Sequence, residues 1–144
     1  MARRRGFSLF ELTAVLMLIA MLFAIAAPRF AAMRDGAAVH AALGDIGGTF
    51  DLARQSAVAN RASTAVVIDT AAGELVVRWS SSGGGTIARR TIQRLYGVTL
   101  GANRDSVVYD SRGLGYGVSN VTVIARRGAF VDTLTMSRLG RLRY

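Results

Sequence analysis

Between Leu12 and Ala27 the chain carries no charged side chain, and Thr13 is its only polar one. As a helix, at 1.5 Å per residue, this run covers about 24 Å, and Phe7–Phe10 extend it towards the ~30 Å hydrocarbon core of a bilayer. Arg3, Arg4 and Arg5 precede it, and basic residues beside an apolar span hold that end in the cytoplasm. Two ordinary readings follow. Ala24-Ile25-Ala26 is an A-x-A site for a signal peptidase, which would release a secreted protein; without cleavage the run is a plain signal anchor. Glu11 fits neither, because a carboxylate near the start of an apolar helix is costly in lipid and usually has a specific partner.

Composition removes most catalytic chemistry. At 144 residues the chain has room for one domain, and with 51% hydrophobic and 19% charged residues it is too apolar to be disordered. It has no cysteine, which excludes a disulfide framework, a thiolate zinc site and a cysteine nucleophile. With one histidine, His40, and two glutamates, Glu11 and Glu74, a His-rich metal centre or a glutamate pair is out of reach. His40 falls in a helical pattern, and neither a second histidine nor a G-x-S-x-G motif supplies a nucleophile for it. No catalytic residue, metal or cofactor is therefore expected.

Basic residues number 18 against 9 acidic ones, and all 18 are arginine. A GC-rich genome accounts for missing lysine but not for the net charge of +9. Guanidinium forks suit phosphate and carboxylate, so nucleic acid and anionic lipid are the partners to consider.

The segment Gly6-Phe7-Ser8-Leu9-Phe10-Glu11, after a short basic leader and before an apolar helix, resembles the class III signal of type IV pilins and pseudopilins. The resemblance implies that a prepilin peptidase cuts between Gly6 and Phe7 and N-methylates Phe7. Glycine at the cut lets the backbone approach the peptidase with no Cβ in the way. It also implies that Glu11, four residues after the new terminus, pairs with the N-terminal amine of a neighbouring subunit. Each charge alone in lipid is expensive, and together they offset one another. Pro28, the chain's only proline, falls where these helices frequently carry one; it removes a backbone donor and kinks or locally melts a helix. The mature terminus discriminates among the readings: N-methyl-Phe7 marks a pilin, Ala27 a secreted protein.

After Pro28 the pattern becomes amphipathic. Ala32, Gly36, Val39, Leu43, Ile46, Phe50, Ala53 and Ala57 recur at spacings of three and four, which predicts one helical face. Gly36, Gly44, Gly47 and Gly48 weaken that helix by up to ~1 kcal/mol each; the Gly47-Gly48 pair is a candidate bend, and the helix is expected to end near Asn60. From Ser63 onwards short β-type runs alternate with turn signals. Thr64–Ile68 and Glu74–Trp79 flank Ala71-Ala72-Gly73 as a hairpin, followed by strands over Arg89–Leu95, Ser106–Tyr109, Val118–Ala125, Phe130–Met136 and Arg141–Tyr144. Ser80–Gly85 reads as a flexible loop. Gly113, Gly115 and Gly117 mimic a nucleotide fingerprint, but a strand rather than a helix follows, so they mark turns or bulges.

The expected fold is α+β, a long N-terminal helix packed on a C-terminal antiparallel sheet domain, as in pilins. Its segments are a leader at 1–6, a transmembrane half-helix at 7–27, an amphipathic half at 28–62 and a β-rich periplasmic domain at 63–144. Phe50–Ala57, with Leu52-Ala53-Arg54 and Ala57, looks like the signature of GspH/FimT-like pseudopilins, as do Tyr109–Gly113 and Gly140-Arg141. The absent cysteines argue against a major pilin with a C-terminal disulfide loop.

The resemblance implies a non-enzymatic filament subunit, a minor pseudopilin of a type II secretion system or a minor pilin of type IV pilus machinery. Its partners would be other pilin or pseudopilin subunits, prepilin peptidase and the inner membrane. It would cross that membrane once, N-terminus cytoplasmic and globular domain periplasmic, before joining the filament. The pilus branch implies a further partner, double-stranded DNA, touched by a Gly140-Arg141-Leu142-Arg143 ending. In a strand Arg141 and Arg143 point to one face and Leu142 and Tyr144 to the other, although terminal arginines also serve simply as the solvated side of an edge strand. Arg126 and Arg127 are candidates to extend that patch.

Overall fold

The computed structural model describes residues 8–81, 83–116, 120–137 and 141–143. Helix α1 runs from Leu9 to Asn60, and the strands and one short helix follow in the order β1 (Thr64–Asp69), β2 (Glu74–Trp79), β3 (Thr86–Thr91), α2 (Ile92–Tyr96), β4 (Thr99–Ala102), β5 (Ser106–Tyr109), β6 (Gly115–Tyr116), β7 (Val121–Arg127), β8 (Phe130–Met136) and β9 (Leu142–Arg143). The chain divides into two compact units, Met1–Arg34 and Asp35–Tyr144. This is the expected α+β architecture, with the second half of α1 packed on antiparallel sheets.

In the first unit every described residue but Ala26 is exposed, including Leu12, Leu16, Leu18, Met21, Leu22 and Phe23. Burial resumes in the second unit. Gly36, Val39, Leu43, Ile46, Phe50, Ala53 and Ala57 form a buried stripe, joined by Ala42, Gly47 and Thr49. Ala32, expected on the same face, is exposed in the first unit. The helix continues through Gly47-Gly48, so the pair does not break it. Gly47 lies on the packed stripe while open space surrounds Gly48. Packing of the stripe outweighs the weak propensity of two glycines.

Two sheets cover the stripe. One has the order β3-β2-β1-β5-β6 and the other β4-β7-β8-β9, and every pairing is antiparallel. Their inward residues, among them Val66, Ile68, Leu75, Val77, Val123, Ala125 and Leu134, meet Leu43, Ile46 and Phe50 in one core. Small Ala53 lets β1 come close enough for the buried Thr64 hydroxyl to donate to the Ala53 carbonyl at 2.9 Å. Tyr109 of the first sheet donates its hydroxyl to Met136 Sδ of the second at 2.8 Å. Burial raises the Tyr109 pKa above its ordinary value of 10.0, Asp51 pushes the same way and Arg54 opposes.

The β1–β2 hairpin forms as expected; Asp69 Oδ1 accepts the amides of Ala71 and Ala72, and Gly73 supplies a left-handed φ of 62°. The run Arg89–Leu95 does not form one strand. Pairing stops at Thr91, and one helical turn follows, because Ile92 and Tyr96 four residues later both pack inward and Gly97, at φ 64°, closes the turn. Strand β4 was not foreseen, and β7 extends to Arg127, two residues beyond Ala125. Gly113 sits at φ 76° in a turn capped by Asp110, where a Cβ would lie 2.8 Å from Val58. That accords with a turn rather than a nucleotide fingerprint; Gly117 lies outside the described residues.

One polar contact fastens the start of the stripe. Arg127 Nε donates to Asp35 Oδ1 at 2.9 Å and its Nη1 donates to the Tyr96 carbonyl, while Gly36 leaves room for the Phe130 ring. Arg127→Ala should lower stability by about 1–2 kcal/mol, the range for a partly exposed, charge-assisted bond. Adding Asp35→Ala should cost little more, since the pair acts as a unit. Urea unfolding of the full chain in detergent, followed by circular dichroism, reads both; additive losses would deny the coupling.

Candidate assembly and interaction surfaces

The apolar segment begins with a built helix start. Ser8 precedes the first turn, and its Oγ accepts the Glu11 amide at 3.1 Å, half of the reciprocal arrangement that S-x-x-E sequences make. Glu11 thus sits in the first turn, where the helix dipole favours a negative charge. It is the only acidic residue between Leu9 and Arg34. The helix is long and apolar enough to cross a membrane. Pro28 lies inside α1, which stays helical on both sides of it. Gly6 and Phe7 lie outside the described residues.

The carboxylates of the second unit are largely engaged within it. Besides Asp35 with Arg127, Glu74 accepts from Arg89 at 3.0 Å and Asp45 lies 3.6 Å from Arg90. Asp45 also accepts the Tyr96 hydroxyl at 3.3 Å; partial burial and then this carboxylate raise the Tyr96 pKa. Asp132 lies 3.4 Å from His40, and Asp69 and Asp110 cap turns. Among the described residues of the second unit, the charged side chains with no opposite charge within 4.0 Å are mostly arginine.

The arginines singled out for DNA fall into two separate places. Arg143 stands opposite Thr135, and Ser137 and Arg141 exchange bonds of 2.9 and 3.1 Å one step further along. Arg141, just before β9, and Arg143 within it are both exposed, while Leu142 between them packs against the core. Gly140 and Tyr144 lie outside the described residues. Arg126 and Arg127 end β7 at the opposite end of the same sheet, four residues and two strands away, about 16 Å. Arg127 is also occupied by Asp35 and Tyr96.

Among the described residues no three His, Asp or Glu side chains gather as a metal site. A shallow cleft of about 460 Å³ lies beside the Ser80–Gly85 loop, lined by Ala65, Arg78, Trp79, Ser106 and Val108. His40 is exposed on α1 with Asp132 as its neighbour.

No protein-family model matches the chain, and no curated protein matches it. Two solved structures do, both crystal forms of the type IV minor pilin FimU of Pseudomonas aeruginosa strain PAO1. One superposes with a TM-score of 0.62 over 73% of this chain and 86% of FimU at 14% identity. The other gives 0.59 over 72% and 90% at 13% identity. The backbone agrees where the residues do not, and the long α1 followed by antiparallel sheets is a pilin-like fold.

Proposed function

We propose that the chain is a minor pilin or pseudopilin, a non-enzymatic structural subunit of a type IV pilus or type II secretion filament. The observation that carries this reading is a pilin-like fold whose first helix leaves its apolar run exposed at every described residue but Ala26, with Glu11 as its single carboxylate. Such a surface needs lipid before assembly and other subunits after it. In this reading residues 1–6 are a leader, 7–27 span the inner membrane once from a cytoplasmic N-terminus, and 28–62 continue the helix into the periplasm. Residues 63–144 form the periplasmic β-rich domain.

Prepilin peptidase is the processing partner, cutting between Gly6 and Phe7 and methylating Phe7. Gly6→Leu should leave full-length protein in the membrane when the peptidase is co-expressed, because a side chain obstructs the approach to the peptide bond. Intact mass reads the outcome, and normal maturation of the variant would remove the class III signal.

Glu11 is the assembly residue, offsetting the amine of a neighbouring subunit, and Pro28 loosens the helix further along. Glu11→Ala should still be cleaved and inserted yet enter filaments poorly, as scored by crosslinking to other subunits. Wild-type incorporation would assign Glu11 another role.

A second reading, DNA uptake, is favoured by the exposure of Arg141 and Arg143 on either side of Leu142. Two guanidinium groups there suit backbone phosphates without base readout. The full chain in detergent should bind double-stranded DNA at about 10⁻⁴–10⁻⁶ M, the non-specific range at physiological salt. Arg141→Ala with Arg143→Ala should weaken binding and flatten the salt dependence by a slope of about 0.9 per lost phosphate contact. Arg78→Ala should matter less. Fluorescence titration at two salt concentrations decides it; no wild-type binding at low salt favours the secretion filament.

A further inference from the structure

Exposed apolar side chains of the second unit gather in two places. Val58, Leu114 and Tyr116 lie about the Gly113 turn, against the last turns of α1. Leu95, Phe130 and Val131 are exposed on α2 and at the start of β8, by the β7–β8 turn end of the sheet, and Phe130 meets Gly36, some 22 helical residues, or about 33 Å, from Val58. Phe130 rests on Gly36, Leu95 adjoins the Tyr96 carbonyl that Arg127 grips, and Val131 stands opposite Arg126 with Ile124 on the same outer face. Arg94 is exposed on α2. Neither Arg94 nor Arg126 has a carboxylate within 4.0 Å among the described residues, whereas Asp35, Asp45 and Asp132 each have a basic neighbour.

Val131 beside Arg126 on the outer face, and Leu95 beside Arg94 on α2 at the same end of the sheet, pair an exposed apolar side chain with an exposed guanidinium group, a combination that suits the interface of a bilayer. Apolar side chains enter between headgroups while arginine binds their phosphates. Chain length selects the same occupant. Ala27 precedes Asp35 by eight residues, so even a fully extended connection keeps Asp35 within about 28 Å of the apolar run.

We infer that this end of the globular unit docks on an anionic lipid surface, Leu95 and Val131 entering the interface and Arg94 and Arg126 contacting lipid phosphates. The inference rests on the reading of the first half of α1 as a membrane span. Docking holds the unassembled subunit at the bilayer through the two ends of one short tether. The β9 arginines, at the other end of their sheet, stay clear of the lipid.

The test exploits the absence of cysteine. Leu18→Cys, Leu95→Cys and Tyr116→Cys, each in the full chain, take one environment-sensitive fluorophore. Each is reconstituted in vesicles of phosphatidylcholine alone or mixed with phosphatidylglycerol, with nitroxide lipids as quenchers. The label at position 18 should be quenched by chain-labelled lipid in both vesicles. The label at 95 should be quenched by headgroup-labelled lipid severalfold more than that at 116, and only in anionic vesicles. Arg94→Glu with Arg126→Glu should bring position 95 down to the level of 116.

Quenching at 18 with equal quenching at 95 and 116 would overturn the docking and leave the span standing. No quenching at 18 would remove the span, and the docking with it. Quenching at 95 that ignores lipid charge and the double reversal, or follows protein density instead, would assign the patch to another subunit and overturn the lipid assignment.

Discussion

Contact between one helical stripe and two sheets holds the globular unit together. The five-stranded and four-stranded sheets share no strand, so backbone pairing does not join them. Val39, Leu43, Ile46 and Phe50 supply the surface on which both close. Ala53 and Ala57 matter as much by being small, since the Thr64 hydroxyl reaches the helix backbone at Ala53. The direct polar link between sheets, Tyr109 to Met136, lies inside this same core. Buried there, the phenol resists ionisation, so the unit is favoured below pH 10 and loses that contribution as pH rises towards the raised folded value.

Periodicity made the stripe legible, because a 3.6-residue repeat of apolar positions constrains every residue on the face. The β1–β2 hairpin was legible for a different reason: two short runs rich in β-branched residues flank Ala71-Ala72-Gly73, a turn ending in glycine. The turn at Ile92–Tyr96 was not, because Ile92, Leu95 and Tyr96 do stand at helical spacings of three and four but span a single turn, too short a run for periodicity to decide. Asp35 and Arg127 lie 92 residues apart, and no local pattern marks them as partners. That distance is also why Arg127 was readable from sequence as a free surface charge. For Arg141 and Arg143 alternation about Leu142 was the local signal, and both are exposed while Leu142 packs against the core.

The excess of arginine takes on a structural meaning once the acids are located. Asp35, Asp45 and Glu74 lie beside guanidinium groups, and Asp69 and Asp110 hold turns through their own backbone neighbours. These carboxylates serve the interior of the fold, while Arg94, Arg126, Arg141 and Arg143 face outward. Among the described residues of the second unit the surface charge left without a partner is therefore mostly positive, and it attracts polyanions over roughly a Debye length of about 8 Å at physiological salt.

The same partition separates the two units of the chain. Among the described residues every member of the hydrophobic core lies at Val39 or beyond, so residues 8–34 contribute nothing to it. Their sequence is free to be matched to something else, and Leu9–Ala27 is as apolar as lipid demands except at Glu11. A carboxylate there contributes nothing to the fold of the globular unit and disfavours burial of the segment in hydrocarbon. Its retention makes sense where a positive partner offsets that cost, and a neighbouring subunit's amine would supply one only when the segments of two subunits meet. In the filament role proposed above, Glu11 would then favour pairing over solitary residence in the bilayer.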